Sequence, residues 1–205
     1  MDLLLIRHAE PVRVVDADGP ADPPLRDRGL LQSERLAEWL STETLDAVVS
    51  SPMRRARETA APVAAGHGLQ VTIDEELAEF DREATSYIPY EELKSSRDER
   101  FVAMVEGRLE EFSVDPVAFQ AGVVAAIERV IEANPSRRVA IVCHGGVINA
   151  YTAHVAGIDR LMWFEIDYTS ISRVQASSSA GRHRSILTLN ETPHLRGTGL
   201  LPVAR

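Results

Sequence analysis

Residues 1–10 read MDLLLIRHAE, and the apolar run at residues 3–6 ends directly on Arg7 and His8. A short uninterrupted apolar run has the pattern of a strand buried on both faces. Arginine and histidine are costly to bury without partners, so their place at the end of such a strand needs a reason. Two further runs carry the same punctuation. LDAVV at 45–49 leads into Ser50, Ser51, Pro52, Met53, Arg54 and Arg55, and RVAIVC at 138–143 leads into His144, Gly145 and Gly146. In an open α/β sheet the carboxyl ends of the strands border the ligand crevice. Three strand ends tipped with basic groups therefore predict one shared cleft.

Between these runs the sequence reads as helix. Asp27 caps a helix on which Leu30, Ala37 and Leu40 share a face, and Ser51 with Pro52 opens another, from about residue 52 to 65. LQVTI at 69–73 is a third strand. In DPVAFQAGVVAAIERVIEANP, residues 115–135, Asp115 is the cap and Pro116 the first residue, with Val117, Ala121, Val124, Ile127 and Ile131 as the apolar stripe. HGG turns into a helix near Val147, and SISRVQA and RSILTL are two last strands. Strands alternating with helices predict an α/β fold with a mostly parallel central sheet. Residues 74–115 break the alternation with acidic, aromatic text. The expectation is one domain over 1–205, with an irregular or partly helical insertion at about 80–115 covering the site and a flexible tail after 195.

Charge and cysteine content exclude several function classes. The chain has 205 residues, 22 basic and 31 acidic, for a net charge of −9, and no block of Lys and Arg long enough to follow a nucleic-acid backbone. Cys143 stands alone, which excludes an intramolecular disulfide and a cysteine-based zinc site. His67, His154, His183 and His194 lie at no short metal-pair spacing. No phosphate-binding G-x-x-x-x-G-K-S/T loop is present, and the text after Cys143 lacks the arginine of a cysteine-phosphatase loop. The apolar run at 3–6 is too short for a signal-peptide core and no stretch approaches a membrane span. A cytoplasmic protein without metal or other cofactor is expected.

The cleft chemistry follows from residue types. Arg7 and Arg55 are planar, permanently charged forks that suit phosphate or carboxylate oxygens. The helix N-termini after Ser51 and Gly146 would aim backbone N–H groups at the same anion. A histidine held neutral by nearby arginines, with one nitrogen donating to a carbonyl, offers the other as a nucleophile. His8 sits where it could attack phosphorus. Each motif alone also reads structurally: Arg7-His8 as a salt-bridged strand end, SSPMRRA as a capped helix start, HGG as a tight turn. Their coincidence at three strand ends favours function.

LIRHAE, SSPMRRARETA and VCHGGVI together resemble the signature segments of the histidine phosphatase superfamily, the phosphoglycerate-mutase-like branch. LRDRGLLQSERLAEWL, YTSISRV and LNETPHL are similar to its first helix, a late strand and its C-terminal strand end. The resemblance implies a three-layer α/β/α sandwich and a covalent mechanism. His8 would be phosphorylated, with Arg7, Arg55 and His144 clamping the phosphoryl group; Arg55 matches because it directly precedes Ala56. The L-x-E pattern in LAEFD puts Glu79 in the place of the proton donor, with Glu76, Asp81 and Glu83 nearby. Arginines would lower its pKa while burial and a phosphate dianion would raise it. Two departures stand out: Ala9-Glu10-Pro11 replaces the frequent GET-x-N text after RH, and FDREATSYI lacks a W-E-G segment. The implied activity is metal-independent hydrolysis of a small phosphomonoester. The same core could serve a phosphoglycerate-type mutase or a catalytically weak phosphate-binding scaffold, and it leaves room for a homodimer.

Overall fold

The computed structural model describes residues 1–112, 114–177 and 183–201. In chain order the elements are β1 (Asp2–Arg7), α1 (Asp27–Leu40), β2 (Ala47–Ser50), α2 (Arg54–Gly66), β3 (Val71–Ile73), α3 (Tyr90–Ser96), α4 (Glu99–Glu106), α5 (Pro116–Ala133), β4 (Arg138–Cys143), α6 (Gly145–Ala156), β5 (Ile171–Ala176) and β6 (Arg184–Glu191). The strands form one sheet in the order β3-β2-β4-β1-β5-β6. β3, β2, β4 and β1 are mutually parallel, while β5 pairs antiparallel with both β1 and β6, so β5 alone is reversed.

Successive side chains on a strand point to opposite faces, and the central strands are apolar on both. Leu3, Leu5, Val139 and Ile141 pack with Ile127 of α5 and Ile148 of α6. Their neighbours Leu4, Ile6, Ala140 and Val142 pack with Leu36 and Leu40 of α1 and Ala60 and Val63 of α2. Two apolar cores on two sides of one sheet make the α/β/α sandwich.

Several local readings need correction. Leu30 is 45 % exposed; the buried face of α1 is Gly29, Gln32, Ser33, Leu36 and Leu40, and Arg26 rather than Asp27 is the cap residue. Gly29 sets that face, because a Cβ there would lie 2.0 Å from the Glu10 carbonyl oxygen. α2 starts at Arg54, not Pro52, and the Asp22 carboxylate accepts the Arg54 N–H at 2.7 Å. Asp115 does cap α5, accepting from Val117 and Ala118, but the buried stripe is Val123, Ala126, Ile127, Val130 and Ile131, with Val117 75 % exposed. α6 begins at Gly145, two residues early. The segment expected to be a flexible tail folds back on α1 as far as Leu201: Arg28 donates to the Gly199 and Leu201 carbonyls and Gln32 to that of Leu200. Residues 202–205 lie outside the described residues. Among the described residues no helix is long and apolar enough to cross a membrane.

The strand order positions the site. β2, β4 and β1 are neighbours, so their carboxyl ends, carrying Ser51, His144 and His8, open on one side of the sheet. The pairing continues past the strands, with His8 N–H donating to Cys143 O at 2.9 Å and Ser51 N–H to Val142 O at 3.0 Å.

Candidate active site

His8 is 3 % exposed and its Nδ1 lies 2.8 Å from the Ala9 carbonyl oxygen. A carbonyl only accepts, so Nδ1 carries the proton and Nε2 of the neutral ring keeps its lone pair. The Ala9 N–H is held in turn by Thr59 Oγ1 at 2.9 Å, and that hydroxyl donates to Arg55 O. α2 thereby fixes the chain just after the histidine.

Two guanidiniums flank the ring. Arg7 donates to the Ile166 carbonyl, lies 3.7 Å from Glu91 and stacks 3.9 Å above the Tyr168 ring. Arg55, 1 % exposed, pairs through Nη2 with Asp81 at 3.0 Å and sits 4.7 Å from the centre of the Tyr87 ring. Its Nε and Nη1 are buried without a protein partner among the described residues. The His144 ring centre is 5.1 Å from that of His8, with Nε2 at 2.7 Å from Ser51 Oγ and a buried, unpartnered Nδ1. Glu79 completes the group: its carboxylate accepts from Gly146 N–H at 2.7 Å and Phe80 N–H at 3.1 Å.

Burial sets the protonation states. It is the largest influence holding His8 and His144 well below the usual imidazole range, and the nearby arginine charges push the same way. Burial also pushes the Glu79 carboxyl up to about 7, helped by Asp81 and only partly offset by the two backbone hydrogen bonds and Arg55. The sign that sequence left open is thus settled by desolvation. The same effect pushes the Cys143 thiol far up, so it stays protonated.

Arg7, His8, Arg55 and Glu79 line a cavity of about 530 Å³ that extends under α3 and α4. His144 is beside them without lining it. Of the other acidic candidates, Asp81 faces the cavity but is committed to Arg55, Glu83 pairs with Arg82, and Glu76 lies on a turn away from the cavity. The two helix amides expected to meet a ligand meet protein carboxylates instead, Asp22 and Glu79. Sequence reasoning took Ser51 for a helix cap and gave Tyr168 no role. Both lay inside motifs already singled out, SSPMRRARETA and YTSISRV, and that was the only signal for them.

The family model of the histidine phosphatase superfamily (branch 1) matches residues 3–191. The chain belongs to that superfamily. It is a phosphatase, in the class of phosphoric monoester hydrolases. It is similar to phosphoserine phosphatase 1 of Hydrogenobacter thermophilus, 31 % identical over 206 residues that cover 94 % of this chain and 93 % of the relative. It is also 29 % identical to the adenosylcobalamin/alpha-ribazole phosphatase of Escherichia coli, over 82 % of this chain and 86 % of that one. A phosphoserine phosphatase mutant from Entamoeba histolytica, solved with phosphoserine, shares the fold at a TM-score of 0.74 and 21 % identity, covering 95 % of this chain and 98 % of that one.

Proposed function

We propose that this histidine phosphatase hydrolyses small-molecule phosphomonoesters, without a metal, through a phosphohistidine on His8. The observation that carries the reading is a neutral imidazole, fixed by a carbonyl at Nδ1 and flanked by two guanidiniums, in one cavity with a carboxyl of pKa about 7.

The roles follow from that arrangement. His8 Nε2 attacks phosphorus as the bond to the leaving alcohol oxygen breaks, and Glu79 gives its proton to that oxygen. Arg7 and Arg55, with His144, hold the phosphoryl oxygens; the unpartnered Arg55 Nε and Nη1 and His144 Nδ1 are the donors available to them. The guanidiniums bring the positive charge that a metal would supply elsewhere. The ionised Glu79 then takes a proton from water as that water attacks phosphorus. The N–P bond breaks, phosphate leaves, and both groups return to their starting states. The partner is the phosphomonoester itself, and a cytoplasmic location fits the single buried thiol of Cys143.

The test is phosphate release from an aryl phosphate and from natural monoesters, with chelator present, by wild type and His8→Ala. The reading requires release that survives the chelator and falls by about 10⁴-fold or more in the variant. Activity restored only by added metal, or retained in His8→Ala, would refute it.

A further inference from the structure

The cavity is far from uniform, and its two halves differ in chemistry. The floor holds Arg7, His8, Arg55 and Glu79 beside the backbone of Gly145 and Gly146. Beyond the floor, where the alcohol part of an ester must lie, the wall is mostly apolar, built from Phe80, Leu93, Phe101, Met104, Met162 and Trp163, with Thr85, Ser86, Tyr90 and Asn149 also lining the cavity. This wall is braced. Phe80 packs edge-on against Phe112 and Phe119, with ring centres 5.7 and 6.0 Å apart, and the Trp163 indole N–H is spent on Thr152 Oγ1 at 3.2 Å.

Charged side chains do reach this half, and each is already engaged. Arg100 grips Asp98 through two nitrogens at 2.8 and 2.7 Å. Glu165 pairs with Lys94 at 2.7 Å, and Asp81 holds Arg55 at 3.0 Å. Arg160, exposed at the rim, donates to the Val105 carbonyl. A leaving group carrying a carboxylate or an ammonium would have to desolvate that charge against a mostly apolar wall, where the nearby charges are partly exposed and already hold partners of their own. An apolar leaving group avoids that cost and gains from burial.

Resting on the phosphatase reading above, we propose that the substrate is the phosphomonoester of a large, uncharged, apolar alcohol or phenol, whose hydrocarbon body fills the aromatic half of the cavity. That class differs from the amino-acid ester in the names of the phosphoserine phosphatases among the relatives. A volume of about 530 Å³ is that of a site for a complete organic ligand, well beyond what one phosphoryl group needs.

The test is kcat/KM for methyl, butyl, hexyl and octyl phosphate beside phenyl phosphate, phosphoserine and 3-phosphoglycerate. The alkanols differ little in acidity, so the bond cleavage stays equally hard and the series reads the wall. The expected result is a rise of about two- to fourfold per methylene until the cavity is full, with phosphoserine and 3-phosphoglycerate at or below the level of methyl phosphate. Phe101→Ser on α4 and Met162→Ser should each flatten that rise, the loss growing with chain length from butyl to octyl phosphate. A flat alkyl series, or a preference for either charged ester, would overturn the substrate class. Methyl phosphate turnover that persists in His8→Ala would instead overturn the catalytic reading, and the alkyl slope would still report on the wall.

Discussion

Removing His8 and Glu79 from water drives both toward the neutral form, so the histidine keeps an unprotonated ring nitrogen and the glutamate its proton, as the proposed roles of nucleophile and acid require. One physical cause thus supplies both protonation states that phosphoryl transfer to a histidine needs. The sign is testable. Glu79 has a carboxyl raised from 4.5 to about 7, so the acid form dominates below that pH and is lost above it. For an alkyl phosphate, kcat/KM should fall as pH rises through about 7, a limb that a pH–rate profile resolves. Asp81 raises the Glu79 pKa by its charge, so Asp81→Asn should move the limb to lower pH; an unmoved limb would remove Glu79 from the titration. Glu79→Gln should slow an alkyl phosphate by roughly 10² to 10⁴ and an activated aryl phosphate far less, because the aryl oxide leaves without a proton. Equal losses on the two esters would show that Glu79 is not the acid.

The start of α6 is tuned to a glycine. A Cβ on Gly146 would fall 2.2 Å from Glu79 Oε1 and 2.8 Å from Phe80 Cδ1, so Gly146→Ala must displace the carboxyl that the Gly146 N–H holds. The expected cost is about 10²-fold in kcat on an alkyl phosphate with little change in Tm, read by kinetics and thermal unfolding in parallel. Asp115 makes the opposite case. Its carboxylate caps α5 and does not line the active-site cavity, so Asp115→Ala should cost about 1 kcal/mol in urea unfolding and change kcat by less than about twofold. Elements like α5 are legible because an Asp-Pro start and an Asn-Pro stop are local signals. Its inner face was legible only toward the C-terminal end, where Ile127 and Ile131 are buried as read; Val117 lies in the first turn and stays exposed, and the core meets positions 123 to 131. Ser51 shows the same limit. Its hydroxyl accepts the Met53 N–H at 3.2 Å just ahead of α2, as a capping serine would, but it also lies 2.7 Å from Nε2 of His144, 93 residues away, a contact that no local signal marks.

At the scale of the whole molecule, the convergence of Arg7, His8, Arg55 and His144 was readable because strands of one parallel sheet all open their carboxyl ends on one side. The wall over them was not. Its residues are scattered through 80–112 and 160–166, with no periodicity to mark a shared face, and only the folded chain brings Phe101 and Met162 to one cavity. The buried, unpartnered nitrogens of Arg55 bear on stability as well as catalysis. Vanadate or inorganic phosphate at about 100 times its Kd should stabilise the protein by about 2.7 kcal/mol in a thermal-shift titration, and Arg55→Ala should abolish most of that gain. Passage of the phosphoryl group through His8 is tested by rapid acid-free quench with peptide mapping by mass spectrometry. During turnover an acid-labile phosphoryl group is expected on the peptide that holds His8, formed and lost at least as fast as kcat and absent from His8→Ala. A phosphoryl group on another residue, or one that forms more slowly than product appears, would contradict it.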